Sequence, residues 1–220
     1  MNVLFVIYGA GGCGRGVMPS ARKNFLDLPD SDIVFVDDNE PRPIVNGQRV
    51  LSFAMSIKEK ISNKKIAIAV SSPIARRKLV EKCQSVGLSF FSIFSDLSVI
   101  MDDVLVGEGA VISPFVSLTS NIKIGKHFHA NLYSYVEHDC EIGDFVTFAP
   151  GAKCNGNVKI EDGAYIGAGA VIRQGTSARK MVIGAGAVVG MGAVVTKDVA
   201  PGETVIGNPA RFYDSLDKGF

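Results

Sequence analysis

The chain has 220 residues, 47% of them hydrophobic and 20% charged, a balance that excludes a disordered chain and allows one or two packed domains. Lys and Arg number 23 against 22 for Asp and Glu, so the net charge of +1 removes the electrostatic basis for nucleic acid or an anionic membrane as partner and leaves a small molecule. No apolar run is long enough for a bilayer span. The apolar start, residues 1–8, runs into glycines with neither the basic region nor the cleavage site of a signal peptide. Cys13, Cys83, Cys140 and Cys154 show no C-x-x-C spacing, which fits reduced thiols and a cytoplasmic protein.

Taken in chain order, residues 1–95 alternate strand and helix patterns. Val3–Tyr8, Asp32–Asp37 and Lys65–Val70 read as buried strands, and Ser20–Leu28 and Ala75–Val86 as helices. The expectation is a parallel α/β unit, a Rossmann-like half domain with room for one mononucleotide site. After the first strand, Gly9, Gly11 and Gly14 satisfy G-x-G-x-x-G with Gly12 among them, so backbone N–H groups at a helix start can meet a phosphate. Asp37 and Asp38 follow the second strand, where acids can accept hydrogen bonds from a ribose or a base edge. An NAD-dependent dehydrogenase would use the same residues, but the chain lacks a second half for nicotinamide. The plainer alternative is a tight glycine turn beside a solvated acidic loop.

From Ile100 the period becomes six. Ile100, Val106, Ile112, Leu118, Ile124, Ala130, Val136, Ile142, Phe148, Cys154, Ile160, Ile166 and Ile172 contain no polar residue. Small or β-branched residues recur four positions later, and glycine often follows the apolar residue, as at Gly125, Gly143, Gly167 and Gly184. Such hexapeptides mark a parallel β-helix over residues 96–206, with three short strands to a coil of about 18 residues. Ile172 to Ile183 is 11 residues rather than 12, so a loop should bulge near Ser177–Met181. Five to six thin coils suggest an oligomer.

The three histidines, His127, His129 and His138, all lie in the repeat. His138 stands between Glu137 and Asp139 at an expected prism edge, where an imidazole can serve as a base near neutral pH. One coil on from His138 is Gly156, about 4.8 Å along the axis, whose N–H a missing side chain leaves open as an oxyanion donor. A simple turn glycine is the alternative. His127 and His129 are expected on the surface, and Cys140 and Cys154 in the core. A zinc enzyme of the carbonic anhydrase kind would need an H-x-x-x-x-H pair, which is absent, so no metal is expected.

These hexapeptides, the glycine turn, the Asp37-Asp38 pair, Asn131 with Glu137-His138-Asp139-Cys140, Gly151-Ala152-Lys153-Cys154 with Gly156-Asn157-Val158, and Ile206-Gly207-Asn208-Pro209-Ala210-Arg211 occur in this order. Together they resemble the sugar acetyltransferases of bacterial surface glycan biosynthesis, O-antigen and lipopolysaccharide included. That group holds sialic acid O-acetyltransferase-like proteins and N-acetyltransferases of 4-amino-4,6-dideoxy sugars. The resemblance implies a left-handed β-helix and a homotrimer whose active sites lie between subunits, with acetyl-CoA in the groove. It implies His138 as general base with Asp139 beside it, Asn131 and Glu137 at the sugar amine, and the Gly156 N–H at the thioester oxygen. Gly9, Gly11, Gly12, Gly14, Asp37 and Asp38 would hold the nucleotide, with dTDP or UDP favoured. Gly167, Ala168, Pro209 and Arg211, the last two in a tail of residues 207–220, would face CoA. Cys13 and Ser71-Ser72-Pro73 depart from the pattern near the nucleotide pocket. Sugar O-acetylation and a trimeric protein that binds without catalysis are the competing functions.

Overall fold

The computed structural model describes residues 3–25, 33–61 and 63–213. Its contacts separate two units, Met1–Asp96 with Glu108–Val111 and Leu97–Gly107 with Ile112–Phe220. The tail groups with the second unit because Arg211–Phe212 pairs antiparallel with Thr204–Ile206. Residues 214–220 of the expected tail lie outside the described residues.

The first unit runs β1 (Val3–Tyr8), α1 (Gly12–Asn24), β2 (Ile33–Val36), β3 (Ile44–Val45), β4 (Gln48–Leu51), α2 (Phe53–Lys58), β5 (Asn63–Ile68), α3 (Pro73–Gln84) and β6 (Ser89–Phe90). The sheet order is β3-β4-β2-β1-β5-β6, with β1 parallel to both β2 and β5. Continuous apolar runs serve these central strands because both faces are covered; Leu4, Ile7, Phe35 and Ile68 are fully buried. Helix α1 begins at Gly12, as a glycine turn that opens a helix implies, and so starts before Ser20, where the helical pattern is read; Pro19 lies inside it. The ends of two expected elements, residues 26–28 and Asp32, fall outside the described residues. The β3–β4 hairpin and α2 were not foreseen, although Asn46-Gly47 carries the hairpin signal and both residues adopt positive φ, 49° and 76°.

The second unit is a parallel β-helix with three faces. One face stacks Val99–Ile100, Ser117–Leu118, Tyr135–Val136, Lys153–Cys154, Val171–Ile172 and Val194–Val195. The next face carries Ile122–Ile124, Glu141–Ile142, Val158–Ile160 and Met181–Ile183, and the third His129–Ala130, Thr147–Phe148, Tyr165–Ile166 and Val188–Val189. Partners such as Leu118, Val136, Cys154 and Ile172 are consecutive in register, one coil of 18 residues apart. Ile172 then pairs with Val195, 23 residues on, so the slip of phase is a five-residue insertion, and it forms an irregular loop over residues 173–180.

The sixfold positions from Ile112 to Ile172 are buried, whereas Ile100, on the terminal strand of its sheet, stays exposed. Between strands, every sixth residue from Phe115 to Gly169 turns the corner in the left-handed region. Stacking along those corners corrects one expectation. His127 and His129 are buried rather than superficial: the Phe145 ring, one coil on, stacks on His127 at 5.0 Å, and Thr147 lies in register with His129. Cys140 and Cys154 are buried free thiols with their Sγ atoms 4.0 Å apart. Among the described residues, no helix is long and apolar enough to cross a membrane.

Candidate active site

His138 and Asp139 form the corner that follows strand Tyr135–Val136, with Asp139 at φ 59°. The His138 side chain is 56% exposed, so solvent and substrate can reach it. Its Nδ1 lies 2.7 Å from Asp139 Oδ2. Donation from Nδ1–H to this carboxylate fixes the tautomer and leaves the lone pair on Nε2. The Asp139 hydrogen bond holds the imidazole pKa above its ordinary value, and the same bond holds the Asp139 carboxyl below the usual range. A base must be neutral, so His138 could serve as one only above that raised pKa and would lose the capacity as pH falls through it. Asp139→Asn removes the negative charge, and the acid limb of the kcat/KM profile should then move to lower pH with a smaller plateau; an unmoved limb would uncouple the pair from turnover.

Gly156 lies against the flat of this ring. A Cβ built on it would stand 2.5 Å from His138 Nε2 and 2.6 Å from Cε1, so only glycine leaves the imidazole its place. The stacking inferred by counting one coil is therefore present, but the Gly156 N–H is not bare: it donates to Glu137 Oε2 at 3.2 Å. Serving an oxyanion would require that carboxylate to move aside. Behind the corner, Asn121, Asp139, Cys140 and Asn157 line a cleft of about 410 Å³, with Ser177 and Lys180 from the inserted loop also on its wall. Lys180 Nζ reaches Glu141 at 2.8 Å. Local pattern could locate the loop but not what it would face.

Asn131 lies one strand back, at the other end of Tyr135–Val136 from His138. Its Oδ1 accepts the Leu132 N–H at 2.8 Å. Its N–H bonds Phe148 O and the Ala149 N–H bonds Ile166 O, so Asn131 and Gly167 share one column of the β-helix. The tail closes the same edge: the Gly192 N–H reaches Ala168 O, the Val194 N–H reaches Gly207 O, and the Ala210 N–H returns to Val194 O. Gly167, Ala168, Pro209 and the exposed Arg211 thus line one edge with Asn131, while Glu137, His138, Asp139 and Gly156 line the next. Within a single chain the structure does not bring Asn131 to Glu137.

In the first unit, Gly9 follows β1 with φ 113° and its N–H bonds Val36 O at 2.7 Å. A Cβ on Gly14 would fall 1.8 Å from Gly9 O, so this glycine lets α1 pack against the turn. Gly11 and Gly12 are exposed at the helix start, with open space where side chains would be. The Asp37 carboxylate holds the glycine turn: Oδ2 accepts the Ala10 N–H and Oδ1 the Asn39 N–H, both at 2.9 Å. Asp38 accepts the Phe53 N–H at 2.8 Å, the Tyr8 hydroxyl at 3.0 Å and Lys82 Nζ at 3.0 Å. The Phe53 amide, with Lys82 and Tyr8, holds the Asp38 carboxyl below its ordinary pKa, and burial pushes the Tyr8 phenol up. Lys82 also stands 4.2 Å over the Phe53 ring. Tyr8, Phe53 and Lys82 were missed in the sequence because 74 positions separate Tyr8 from Lys82. Beneath the turn, Cys13 lies near the buried Arg76, whose guanidinium donates to Val70 O and Ser71 O and so holds the Ser71-Ser72-Pro73 loop.

Residues 5–83 match the PglD N-terminal domain family. Over 210 residues the chain is 50% identical to the GDP-perosamine N-acetyltransferase of Escherichia coli O157:H7, covering 94% of this chain and 95% of that protein. The solved structure of WeeI from Acinetobacter baumannii AYE superposes with a TM-score of 0.94 at 52% identity, over 96% of this chain and 100% of that one. PerB from Caulobacter crescentus, solved with CoA and GDP-perosamine, superposes with a TM-score of 0.84 at 26% identity, over 96% and 97%. Likeness of this extent, over a Rossmann-like domain followed by a left-handed β-helix, means that the chain belongs to the hexapeptide-repeat nucleotide-sugar acetyltransferases and is an acyltransferase whose co-substrate is acetyl-CoA.

Proposed function

We propose that the protein N-acetylates the C4 amine of a GDP-linked 4-amino-4,6-dideoxy sugar of the perosamine type, by direct transfer with His138 as general base. The observation that carries this reading is the imidazole seated over Gly156, with Nδ1 bonded to Asp139. Acetyl-CoA supplies the acyl group as a thioester. His138 Nε2 takes the proton that the amine loses as its C–N bond forms, Asp139 stabilises the resulting imidazolium, and the imidazolium returns that proton to the CoA sulfur as the C–S bond breaks. Glu137 turns from the Gly156 N–H towards the amine, and the freed N–H faces the thioester oxygen. The buried Cys140 and Cys154 offer no accessible nucleophile, which favours a path without an acyl-enzyme.

A homotrimer completes the site in this reading. One subunit's edge of Asn131, Gly167, Ala168, Pro209 and Arg211 would face the neighbour's His138 edge and hold acetyl-CoA between them, with Arg211 at a phosphate. Exposed Leu105, Val188, Met191, Ile206 and Phe212 supply apolar surface for that contact. The nucleotide sits at the glycine turn and the Asp38 cluster, and the enzyme works in the cytoplasm on surface-glycan precursors.

The GDP-perosamine named for the Escherichia coli relative supports guanosine as the carrier in place of the thymidine or uridine expected from sequence resemblance. A thermal-shift panel tests it. At 100 times its Kd, GDP should stabilise by about 2.7 kcal/mol, with UDP and dTDP giving no clear shift. A shift from a pyrimidine diphosphate alone would overturn the carrier. Failure of GDP-perosamine and acetyl-CoA to release CoA thiol would overturn the reaction.

A further inference from the structure

The corner that carries Asp139 belongs to a column of residues one coil of 18 apart, Asp103, Asn121, Asp139 and Asn157, all in the left-handed region with φ of 56°, 59°, 59° and 57°. We propose that Asn121 is a positioning residue for acyl transfer: from the preceding coil its side-chain amide holds the Asp139 carboxylate, which in turn aims His138. This rests on the reading above, with His138 as the base, and adds a third member to the His138–Asp139 pair.

Three observations carry it. The corner peptides are tied rung to rung: the Asn121 N–H bonds Asp102 O at 3.2 Å, the Asp139 N–H bonds Ser120 O at 3.2 Å and the Asn157 N–H bonds His138 O at 2.9 Å. Residues of one column therefore stand about 4.8 Å apart along the axis, and the Asn121 side chain hydrogen-bonds the Asp139 carboxylate. Next, the left-handed corner does not by itself demand these residue types. The other two columns meet the same backbone requirement with Phe115 and Tyr133, or with His127 and Phe145, among glycines. On this column alone, among the described corners of the β-helix, asparagine and aspartate alternate, which sets an amide on each side of Asp139 where a second acid would repel it. Finally, Asn121, Asp139 and Asn157 open together onto the cleft of about 410 Å³. Lys180 joins that wall from the next rung, since Met181 pairs with Val158. The hydrogen bond to His138 comes first in holding the Asp139 carboxyl below its usual range, and the Asn121 hydrogen bond and the Lys180 charge add to it. The other ionisable groups around the pair are Glu137 and the buried Cys140 thiol, Glu141 bonded to Lys180, Lys123 on the cleft wall, and Asp103 beyond Asn121.

The test uses the full chain with GDP-perosamine and acetyl-CoA, thiol release giving the pH profile. NMR titration of the imidazole, assigned as the signal lost in His138→Ala, adds a readout that needs no turnover. Asn121→Asp suits the corner, as Asp103 shows, and sets a second carboxylate one rung from Asp139. The imidazolium is then favoured, so the His138 titration and the acid limb of kcat/KM should both move to higher pH by about half a pH unit, opposite in sign to Asp139→Asn. Asn121→Gly keeps the left-handed corner and deletes the amide; kcat should fall about three- to tenfold, the worth of one hydrogen bond, with both KM values within about twofold. A His138 titration unmoved in Asn121→Asp, or a kcat of Asn121→Gly equal to wild type, would overturn the proposal and leave His138 as the base. So would a fall in Tm with an unchanged pH profile, which makes Asn121 a structural corner alone. A titration that moves while the acid limb stays fixed removes His138 as the base, and the positioning role with it.

Discussion

Replacing His138 with alanine should lower kcat by about 10²–10⁴, the usual worth of a positioned general base, while thermal stability stays close to wild type. The two halves of that expectation have separate causes. The imidazole is more than half exposed and lies at a corner, so its removal opens no cavity in the coil. Its chemistry is not replaced by a neighbour: the hydrogen bond to His138 holds the Asp139 carboxyl below its usual range, and Glu137 is engaged with the Gly156 N–H. Loss confined to kcat, with the acetyl-CoA KM little changed, is the expected pattern, and near-normal turnover would reject His138 as the base.

Gly156→Ala should be nearly as damaging, although the substituted residue makes no side-chain contact of its own. The added methyl group would occupy a point 2.5 Å from His138 Nε2 and 3.0 Å from Cδ2, inside van der Waals contact, so the ring must swing away. The backbone is not at fault, because Gly156 does not lie in the left-handed region and alanine is unstrained there. Misplacement of a reacting group by about 1 Å can cost about 10²-fold, and kcat should fall by that order with little change in Tm. Coupling provides the sharper reading. In a His138→Ala background there is no ring to displace, and Gly156→Ala should then cost less than about threefold. Equal losses in both backgrounds would mean that Gly156 acts through its own peptide N–H rather than by seating the imidazole.

Much of this was legible beforehand, for reasons that differ from element to element. The β-helix was read from Ile112 to Ile172 because each inward residue answers to a core that repeats every coil, and its period survives in one dimension. Gly156 was found by counting one coil. The five-residue insertion announced itself as a break in phase, but Lys180 on the wall of the cleft beside Asp139 did not, since an inserted loop obeys no period. His127 and His129 were misplaced because burial at a corner depends on the ring of Phe145 one coil away. In the first unit, Asp37 and Asp38 looked alike on paper; one holds the glycine turn through Ala10 and Asn39, and the other anchors Tyr8, Phe53 and Lys82.

The amino-acid sequence alone determined the class of each half, the place of the glycine turn, the phase of the repeat and the imidazole at a prism edge. These are properties of spacing, and a strand or coil reads spacing directly. Tertiary structure decided which carboxylate is engaged with which N–H, and that Asn131 and Glu137 stand on different edges of one chain. Such facts depend on the direction of individual side chains between neighbouring coils, where hydrogen bonding and contact act across about 3–5 Å of space and no rule of local periodicity applies.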